Sequence, residues 1–542
     1  MAKKSLIQGA AVLAAAGLLV KFLGAFFRLP LAGMIGAVGM ANYAPAYYIY
    51  NFLLVFATAG LPIAISKMVS ERYAIGQFRE AERVFKLSRT LMALIGLLGA
   101  CFVLFFSDAI AVMINNPGSA LPMKSMAPAL LLVPIMASYR GYFQGMQEMS
   151  PTAISQVAEQ IFRVICGLFL AWFFMSNVWI AANYTDEARG AAGGCLGAAT
   201  GAVGGLLVML IIYMRSRKQV KSRIRGDRTD VRETSGNILK QIALIAIPIT
   251  IGSAIMPIVN LLDAGIVTSR LLASGWDQSM SEELYGQLSG FASPLVAFPQ
   301  VLVQAIVLSL VPLVSAANKR RNDVERNRNI SLGVRMTMIL ALPCAAGLVA
   351  LAGPVLMLLY PTQKASALSA APCLQTLSIG FIFLASIMIM TGALQGIGKQ
   401  MVPVVNLLIG VVVKFIVTWI LTAVPEINVA GAAVGTASAY LVAAVLDLIA
   451  LKRYTGVKFA VSSTVIKPLI SSVVMGVLVY FVYQGVYLLL GSNGIATILA
   501  VIFGVGVYGL MILRTKAVTR EEILNLSKGR KIVALCDKLK LW

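Results

Sequence analysis

Two basic residues, Lys21 and Arg28, stand inside an otherwise apolar stretch near the start of the chain. A spacing of seven residues is almost two helical turns, so both side chains lie on one helix face, about 10 Å apart. Each cation costs about 2.5–3.5 kcal/mol at the centre of a membrane-spanning helix, and no acid lies within four positions of either. Such a pair facing a cavity would bind an anion, above all a phosphate or pyrophosphate. Alternatively, Arg28 reaches the lipid headgroups and Lys21 meets an acid of another span.

Polar residues cluster at the start of the second apolar stretch, where Tyr43 and Asn51 are candidates for contact with a ligand. Tyrosines at a membrane end usually form an interfacial belt, and that alternative stays open for Tyr43. Asn51 lies deeper, and a buried amide needs hydrogen-bond partners. We therefore expect Asn51 to contact a polar headgroup.

Glu159 stands four residues before Arg163, which is the favourable order for an ion pair on one helix. We interpret this pair as structural. Lys414 has Gly410 and Thr418 at the same spacings and lies near the middle of its span. Lys414 is therefore a candidate for substrate binding.

An acid and an amide, Asp263 and Asn260, lie in the outer half of a later span and are followed by Arg270. They could hold Na⁺ or a proton and couple transport to a gradient, or Asp263 could pair with Arg270 or with the lysine of the first span. Further along, Gln300 and Gln304 share one helix face. These two glutamines could line a binding cavity, or they could tie two transmembrane helices together.

The residue types offer neither a catalytic centre nor a metal centre. The chain has no histidine, and its six cysteines lack a metal-ligand spacing. The run from Gly392 to Lys399 vaguely imitates a phosphate loop, but its spacing is wrong and Gln400 stands where the motif requires Ser or Thr. We expect no enzyme activity, no cofactor and no nucleotide site. The energy source would then be a Na⁺ or proton gradient or the membrane potential.

The elements that position these residues must lie in a membrane. Of the 542 residues, 59% are apolar and only 12% are charged, whereas a soluble domain has about 25% charged residues. This composition excludes a soluble enzyme and a nucleic-acid-binding protein. The first apolar run continues to Arg28 without a polar cleavage region, so we expect it to be a span and not a signal peptide.

Fourteen apolar runs are long enough to cross about 30 Å of hydrocarbon. With the N-terminus inside, 38 of the 45 basic residues fall in inner segments and four in outer ones. This bias and the even number of spans predict that both termini are cytoplasmic. Topology and contact with anionic lipids then account for most of the net charge of +23. The predicted spans are 5–28, 42–66, 87–107, 125–146, 155–176, 190–214, 239–268, 285–316, 334–354, 373–396, 403–424, 429–451, 467–490 and 494–514.

An internal repeat relates the two halves of the chain. The segment from Gly141 to Gly145 matches that from Gly392 to Gly396 at an offset of 251, and this offset carries Arg163 onto Lys414. Weaker matches join the prolines Pro62 and Pro312, and the glycine-rich segments 193–197 and 431–435.

Six spans in each repeat unit is an even number, so the two units have the same orientation and an axis along the membrane normal relates them. Two facing bundles of this kind are typical of a transporter whose site lies between the lobes. We predict an all-α integral membrane protein with fourteen transmembrane helices, in which two extra C-terminal helices follow two six-helix lobes. The predicted domains are an N-lobe at 1–238, a C-lobe at 239–455, and the extra helices with a cytoplasmic tail at 456–542.

The segment from Ser66 to Arg89 is basic and amphipathic, with Met68 and Val84 among its apolar residues. This pattern is typical of a helix that lies on the cytoplasmic leaflet. We expect it to anchor the protein to anionic lipids.

The sequence resembles the MOP exporter superfamily, in particular the bacterial lipid II flippases and their sporulation and polysaccharide-export relatives. The resemblance covers essentially the whole chain. It rests on Lys21 to Gly24 with Arg28, on Gly36 to Tyr43 with Asn51 and Gly60 to Pro62, and on Gly141 to Pro151 with Gln156, Glu159 and Arg163.

The resemblance implies a V-shaped cavity whose cations hold a pyrophosphate, and a groove between the last two spans for the lipid tail. The first-span cations map to Lys21 and Arg28, and the second-span amide maps to Asn51. This chain departs from the family where Lys21 replaces an arginine and Tyr43 an acid. The cation at the start of span eight is absent, and Arg270 could substitute for it.

We therefore expect a flippase that moves an undecaprenyl-pyrophosphate-linked cell-wall precursor, with lipid II first among them, to the outer leaflet by alternating access. The expected location is the bacterial cell membrane. The expected partners are the lipid-linked sugar, anionic lipids and cell-wall synthesis proteins, and the chain is expected to be a monomer. A cation-coupled multidrug antiporter of the same superfamily and a non-transporting membrane scaffold are the alternatives.

Overall fold

A computed structural model describes residues 2–177, 179–227, 229 and 233–517 of the chain, so the predicted tail beyond 517 lies outside the described residues. The described residues form helices and no strands. The α-helices are α1 Ala2–Thr58, α2 Leu61–Ala74, α3 Phe78–Met113, α4 Ala120–Gly145, α5 Ser150–Ser176, α6 Asp186–Arg225, α7 Ser235–Ala273, α8 Gln278–Gly286, α9 Ser293–Lys319, α10 Asp323–Ala350, α11 Ala352–Leu359, α12 Lys364–Ser369, α13 Ala371–Gly396, α14 Met401–Leu421, α15 Ala430–Thr455, α16 Lys467–Leu490 and α17 Asn493–Arg514.

Most of these helices are long enough and apolar enough to cross a bilayer. In the part of the chain that the structure describes, 13 helical segments meet this condition. The predicted all-α membrane class is confirmed, whereas the number of fourteen spans stays a prediction. One of the 13 segments, Ala15–Ala74, has 60 residues, far more than a single crossing needs.

The chain reverses direction within α1 at Gly36, whose φ of 70° and ψ of −175° are not helical. Arg28 and Tyr47 are 19 residues apart, which is about 28 Å along a straight helix. The Arg28 guanidinium nevertheless lies 5.0 Å from the centre of the Tyr47 ring. Residues 2–35 and 37–58 are therefore two arms folded against each other, and they overlap the predicted spans 5–28 and 42–66 with different bounds.

Glycine is required both at this turn and where another helix approaches it. A positive φ of 70° favours glycine at position 36. At Gly286, at the end of α8, an added Cβ would lie 1.8 Å from the carbonyl oxygen of Ala37. The turn is thus held by backbone packing against α8.

The sequence predicts that the amphipathic segment 66–89 forms one helix on the membrane surface. The structure contradicts this prediction. The segment is divided between α2 and α3, and Met68 and Val84 are fully buried. They belong to an apolar core that also contains Phe85, Tyr142 and Met209. The apolar face of this segment is covered by protein and not by lipid.

The chain divides into two compact units. The first unit comprises residues 1–272 and 277–290, and the second comprises 273–276 and 291–542. Helix α7 therefore belongs to the first unit by its packing, although the repeat assigns it to the second half. The lobe boundaries predicted from the repeat stay a prediction.

The internal repeat is visible in the helix contacts inside each unit. In the first unit, a Cβ added at Gly193 would meet Leu170 and Ala171, and in the second a Cβ added at Gly431 would meet Leu421 and Thr422. These partners differ by the predicted offset of 251. The pair α14 and α15 therefore repeats the packing of α5 and α6.

The same contacts support the match of Arg163 with Lys414. An added Cβ at Gly197 would lie 3.1 Å from the carbonyl oxygen of Arg163, and one at Gly435 would lie 3.0 Å from that of Lys414. Both glycines thus face the backbone of the repeat's basic residue.

The predicted match between Pro62 and Pro312 is wrong by five residues. Gly141 lies against Pro62, whereas its repeat partner Gly392 lies against Val307. In the same way Gly145 contacts Val69, and its partner contacts Val314. The register of this part of the repeat is therefore 245, and Pro62 corresponds to Val307.

Candidate functional site

Arg28 lies over an aromatic ring on the opposite arm of α1. Its guanidinium carbon is 5.0 Å from the centre of the Tyr47 ring, which is a cation–π distance. The Arg28 side chain is half-buried. The reversal at Gly36 creates this contact, because it folds the second arm of α1 back along the first.

Tyrosines extend this contact along the second arm. Tyr43 stacks on Tyr47 with ring centres 5.8 Å apart, and Tyr47 is 6.2 Å from Tyr50. The Tyr47 hydroxyl is within hydrogen-bonding range of the side chains of Arg28 and Asn51. Because Tyr43 and Tyr50 are buried, these residues line the interior of the unit and do not form an interfacial belt at the protein surface.

Glu159 on α5 joins two arginines. Its carboxylate lies 3.1 Å from Arg163 on the same helix and 3.0 Å from Arg140 on α4. The predicted pair of Glu159 and Arg163 is confirmed. Arg140 also donates a hydrogen bond of 2.9 Å from Nε to the Ser155 hydroxyl. One part-buried acid therefore pairs with two part-buried cations.

The group of Arg28 and the tyrosines lies next to the group of Glu159 and its two arginines inside the first unit. Arg163 is within electrostatic reach of Tyr43, Tyr47 and Tyr50. Helices α1 and α5 pack closely here, because an added Cβ at Gly24 would lie 3.3 Å from the Gln160 amide nitrogen. We call the combined group the cationic cluster: Arg28, Tyr43, Tyr47, Asn51, Arg140, Glu159 and Arg163.

The cationic cluster has the chemistry of an anion site. It contains three guanidinium groups, of which two contact its single carboxylate, so the group carries two more positive than negative charges. Guanidinium groups bind phosphate oxygens through parallel hydrogen bonds. Tyrosine hydroxyls and the Asn51 amide add neutral donors.

Lys21 lies outside the cationic cluster. It occupies the first arm of α1 two turns before Arg28, and its side chain is exposed. Lys21 and Arg28 are therefore in different environments, although their spacing places them on one face of the helix.

Asp263, Asn260 and Arg270 lie half-buried on α7 of the first unit. Asp263 is within electrostatic reach of Tyr48 on α1 and of Tyr285 on α8. Asp263 thus lies near Tyr48 and Tyr285 and is not one of the residues of the cationic cluster.

The remaining predicted residues belong to the second unit. Gln300 and Gln304 lie half-buried on α9. Lys414 on α14 is buried, at 8% exposure. Lys414 makes an interaction in the structure, so its lack of an acid at the neighbouring turns does not make it free.

Sequence reasoning missed two members of the cationic cluster, Arg140 and Tyr47. Arg140 is one of the basic residues that fall in the predicted inner segments, and Tyr47 is one of the tyrosines at the start of the second predicted span. The signal for Arg140 was its repeat position: it precedes Gly141 as Thr391 precedes Gly392, which places it inside the packed hairpin. No pattern in the sequence could show that Tyr47 meets Arg28.

The second unit carries an apolar groove between α10, α13 and α16. Its volume is about 560 Å³. Gly476 on α16 lines it, and an added Cβ there would be no closer than 3.5 Å to the neighbouring atoms. The other lining residues include Leu342, Ala346, Ile379, Val473, Tyr480 and Phe481.

The glycines of α16 and α17 differ in the space around them. Gly504 on α17 packs directly on Val479 of α16, because an added Cβ would lie 2.6 Å from that side chain. Gly506 has open space around it. Gly504 is therefore a helix-packing position, and only Gly476 of these three glycines lines the groove.

Among the described residues, no group of three or more cysteine, aspartate or glutamate side chains could hold a metal ion. The acids Glu159 and Asp263 have other surroundings than those of a metal site. Glu159 balances arginines, and Asp263 lies among tyrosines.

The chain is similar to known proteins over most of its length. Residues 6–318 match the family model of the polysaccharide biosynthesis proteins. The lipid II flippase MurJ of Bacillus subtilis is 28% identical over 471 residues, 84% of each chain. The stage V sporulation protein B of the same organism is 25% identical over 437 residues, covering 80% of this chain and 81% of that protein.

Solved structures share the fold. A lipid II flippase MurJ in an inward closed conformation covers 92% of this chain and 98% of its own, with a TM-score of 0.65 and 14% identity. An inward-facing MATE multidrug transporter covers 81% and 94%, with a TM-score of 0.59 and 14% identity. The chain is thus a multi-pass membrane protein that belongs to the polysaccharide biosynthesis protein family.

Proposed function

We propose that this protein moves an undecaprenyl-pyrophosphate-linked cell-wall precursor, lipid II in the first place, from the cytoplasmic to the outer leaflet of the bacterial cell membrane. Both termini are cytoplasmic in this proposal, and transport proceeds by alternating access. The relatives that are called lipid II flippases support the substrate class.

The observation that carries the proposal is the cationic cluster of the first unit. It holds three arginines against one acid, and Arg28 is oriented by the Tyr47 ring. A pyrophosphate carries the negative charge that complements such a surplus of part-buried guanidinium groups. A cation-coupled drug antiporter would instead need a surplus of acid at its binding site.

The apolar groove of the second unit supports a long lipid substrate. A polyprenyl chain of about fifty carbons gains free energy when its apolar surface leaves water. The groove around Gly476 offers an apolar wall on which such a chain can lie. In this proposal the headgroup binds in the first unit, and the tail lies along the groove of the second unit.

The energy source in this proposal is a Na⁺ or proton gradient or the membrane potential, with Asp263 and Asn260 as the candidate coupling residues. Lys21, Arg270, Gln300, Gln304 and Lys414 are proposed as further substrate contacts. Anionic lipids and cell-wall synthesis proteins are the proposed partners of a monomer.

Complementation of a strain depleted of its lipid II flippase tests the proposal. The wild-type chain should restore growth, Arg28→Ala should not, and Arg28→Lys should restore it partly because the charge is retained. Membrane levels of the three proteins are compared by immunoblot.

Failure of the wild-type chain to restore growth at normal membrane levels would overturn the lipid II assignment. Drug resistance conferred by the same chain would favour the antiporter. Equal rescue by wild type and Arg28→Ala would show that transport does not need Arg28 and would remove the headgroup assignment, whereas the absence of both rescue and drug resistance would favour the non-transporting scaffold.

A further inference from the structure

A carboxyl group is fully buried inside the second unit, at Asp447 on α15. Its exposure is 0%. The Asn406 amide on α14 donates a hydrogen bond of 2.8 Å to Oδ1, and the Thr391 hydroxyl on α13 lies near the same carboxyl. The other oxygen, Oδ2, is buried without a hydrogen-bond partner. Three membrane-spanning helices therefore converge on a carboxyl that they only half satisfy.

No cation neutralises Asp447 among the residues that the structure describes, because none of the ion pairs there includes it. Helices α13 and α14 pack against α15. The charged and titratable side chains on these three helices are Cys373, Lys414, Tyr440, Lys452, Arg453 and Tyr454, and Lys399 precedes α14. Lys399 stacks on Tyr454.

An ionised carboxylate in this environment is unfavourable. Burial of an unpaired charge in an apolar medium costs so much free energy that such a group takes up a proton instead. In the neutral form Oδ2 carries a hydrogen that can turn toward Thr391, and Oδ1 still accepts from Asn406. The protonated form thus fits every contact that the structure shows.

A metal cation fits this site less well than a proton does. Hard cations such as Ca²⁺ collect about six to eight oxygen ligands. Here the neighbours of the carboxyl are an amide that points its hydrogens at Oδ1 and one hydroxyl. The donor set is too small for a desolvated metal ion.

The repeat shows that this chemistry is specific to the second unit. Thr391 and Asn406 occupy the positions of Arg140 and Ser155 at the offset of 251. Those two residues of the first unit hydrogen-bond to each other. By the match of Gly197 with Gly435, Asp447 occupies the position of a buried methionine.

We propose that Asp447 is a reversible proton-binding site of the second unit, which exchanges its proton with water at the basic end of α15. Lys452 and Arg453 lie in the last turn of that helix, and five residues correspond to about 8 Å along the helix axis. A short path therefore separates the carboxyl from the membrane surface. This site goes beyond the proposed lipid transport, because its existence does not depend on which lipid moves.

Infrared spectroscopy of the purified full-length protein in liposomes tests the site. A protonated carboxyl gives a C=O stretching band that ionised carboxylates lack. The wild-type protein should show a band that shifts in D₂O and loses intensity as pH is raised between about 5 and 9. Asp447→Asn should lack this band, and Asp447→Glu should retain one at a shifted position.

Asn406→Ala provides a variant that keeps the carboxyl. It removes the hydrogen bond to Oδ1, so it should move the band without abolishing it. Circular dichroism confirms that each variant is folded. If Asp447→Asn fails to fold, the band can still be assigned to Asp447. It should then shift in Asn406→Ala and stay unshifted in a surface control such as Asp323→Asn.

The proposal is overturned if Asp447→Asn removes no band, or if the band that it removes responds neither to D₂O nor to pH. Lipid transport is measured in the same liposomes. A wild-type protein that shows the Asp447 band but moves no lipid II would overturn the proposed function and leave the proton site in place.

Discussion

Arg140 on α4 and Thr391 on α13 occupy corresponding positions of the repeat, and so do Ser155 and Asn406. In the first unit this position holds two arginines around Glu159. In the second it holds an uncharged amide and hydroxyl around Asp447. The two bundles therefore share their packing and differ in their polar side chains: arginines surround a carboxylate in the first unit, and uncharged donors surround a buried carboxyl in the second.

The difference shows which residues determine the fold and which determine the chemistry. Glycines at corresponding positions, such as Gly197 and Gly435, allow the helices to approach in both units. Glu159 corresponds to Gly410, and Arg140 corresponds to Thr391. The second unit therefore lacks both the acid and the arginine of this pair. Small residues preserve the backbone packing, while the buried polar groups have changed together.

The largest expected effect concerns the acid that two cations share. Glu159→Gln leaves Arg140 and Arg163 buried without a carboxylate, and loss of one partner of a buried ion pair costs about 3–5 kcal/mol. Since these side chains are 13–16% exposed, we expect about 2–4 kcal/mol, measured as a lower thermal unfolding temperature in detergent. The matched change in the second unit, Asp447→Asn, should have a smaller effect because it unpairs no cation. Equal losses would break the comparison.

The next effect concerns Arg28 and Lys21, which have the same charge in different surroundings. Arg28→Ala should reduce transport of lipid II in proteoliposomes about 10- to 100-fold, because a hydrogen bond to a charged group contributes about 1.5–3 kcal/mol. Lys21→Ala should have a smaller effect because Lys21 is exposed outside the cationic cluster. A greater loss in Lys21→Ala would move the headgroup site toward the start of α1.

A smaller effect should separate the headgroup site of the first unit from the tail groove of the second. Gly476→Leu places a side chain in the apolar groove, so it should slow the full-length lipid several-fold and a short-chain analogue little. Gly506→Leu, which enters open space, is the control and should slow neither. If both lipids slow equally in Gly476→Leu, the groove is a packing site.

The smallest effect concerns the loop that follows α6 in the first unit. Asp227 accepts hydrogen bonds from the backbone N–H of Arg79, at 2.8 Å, and from Thr229. The Arg79 N–H, followed by the Thr229 hydroxyl, lowers the pKa of Asp227. Its folded pKa is below the unfolded one, so its contribution to stability is present at neutral pH and lost as pH falls through the folded value.

Asp227→Asn should therefore lower the unfolding temperature by a few degrees at pH 7, and the gap should close in acid. The measurement is thermal unfolding of wild type and variant across pH. A gap that is constant down to acid would show that the hydrogen bonds, and not the charge, hold the loop.

Most of the fold could be predicted because the length of the apolar runs and the distribution of Lys and Arg are local properties of the sequence. The helical membrane class and the repeat offset of 251 depend on such patterns. The predicted spans 5–28 and 42–66 imply a reversal between residues 28 and 42, but its position at Gly36 within one helical stretch was not predictable, since it depends on the approach of Gly286. The register of 245 near Pro62 was missed because matching prolines do not mark matching contacts.

The site was only partly predictable, because a site is a set of long-range contacts. The spacing of Glu159 and Arg163 predicts their pair correctly. Arg140 joins them from another helix, and Tyr47 reaches Arg28 across a turn. Neither contact has a signal in the spacing of the residues.

The most direct test of the central claim compares two lipids that share their polyprenyl chain and differ in the presence of the pyrophosphate group. The affinity of the purified protein for undecaprenyl pyrophosphate and for undecaprenol is measured by native mass spectrometry, for wild type and for Arg28→Ala. The wild-type protein should prefer the pyrophosphate at least tenfold, and Arg28→Ala should lose most of that preference while it binds undecaprenol unchanged. Equal affinity of the wild-type protein for both lipids would contradict the assignment of the cationic cluster as the headgroup site.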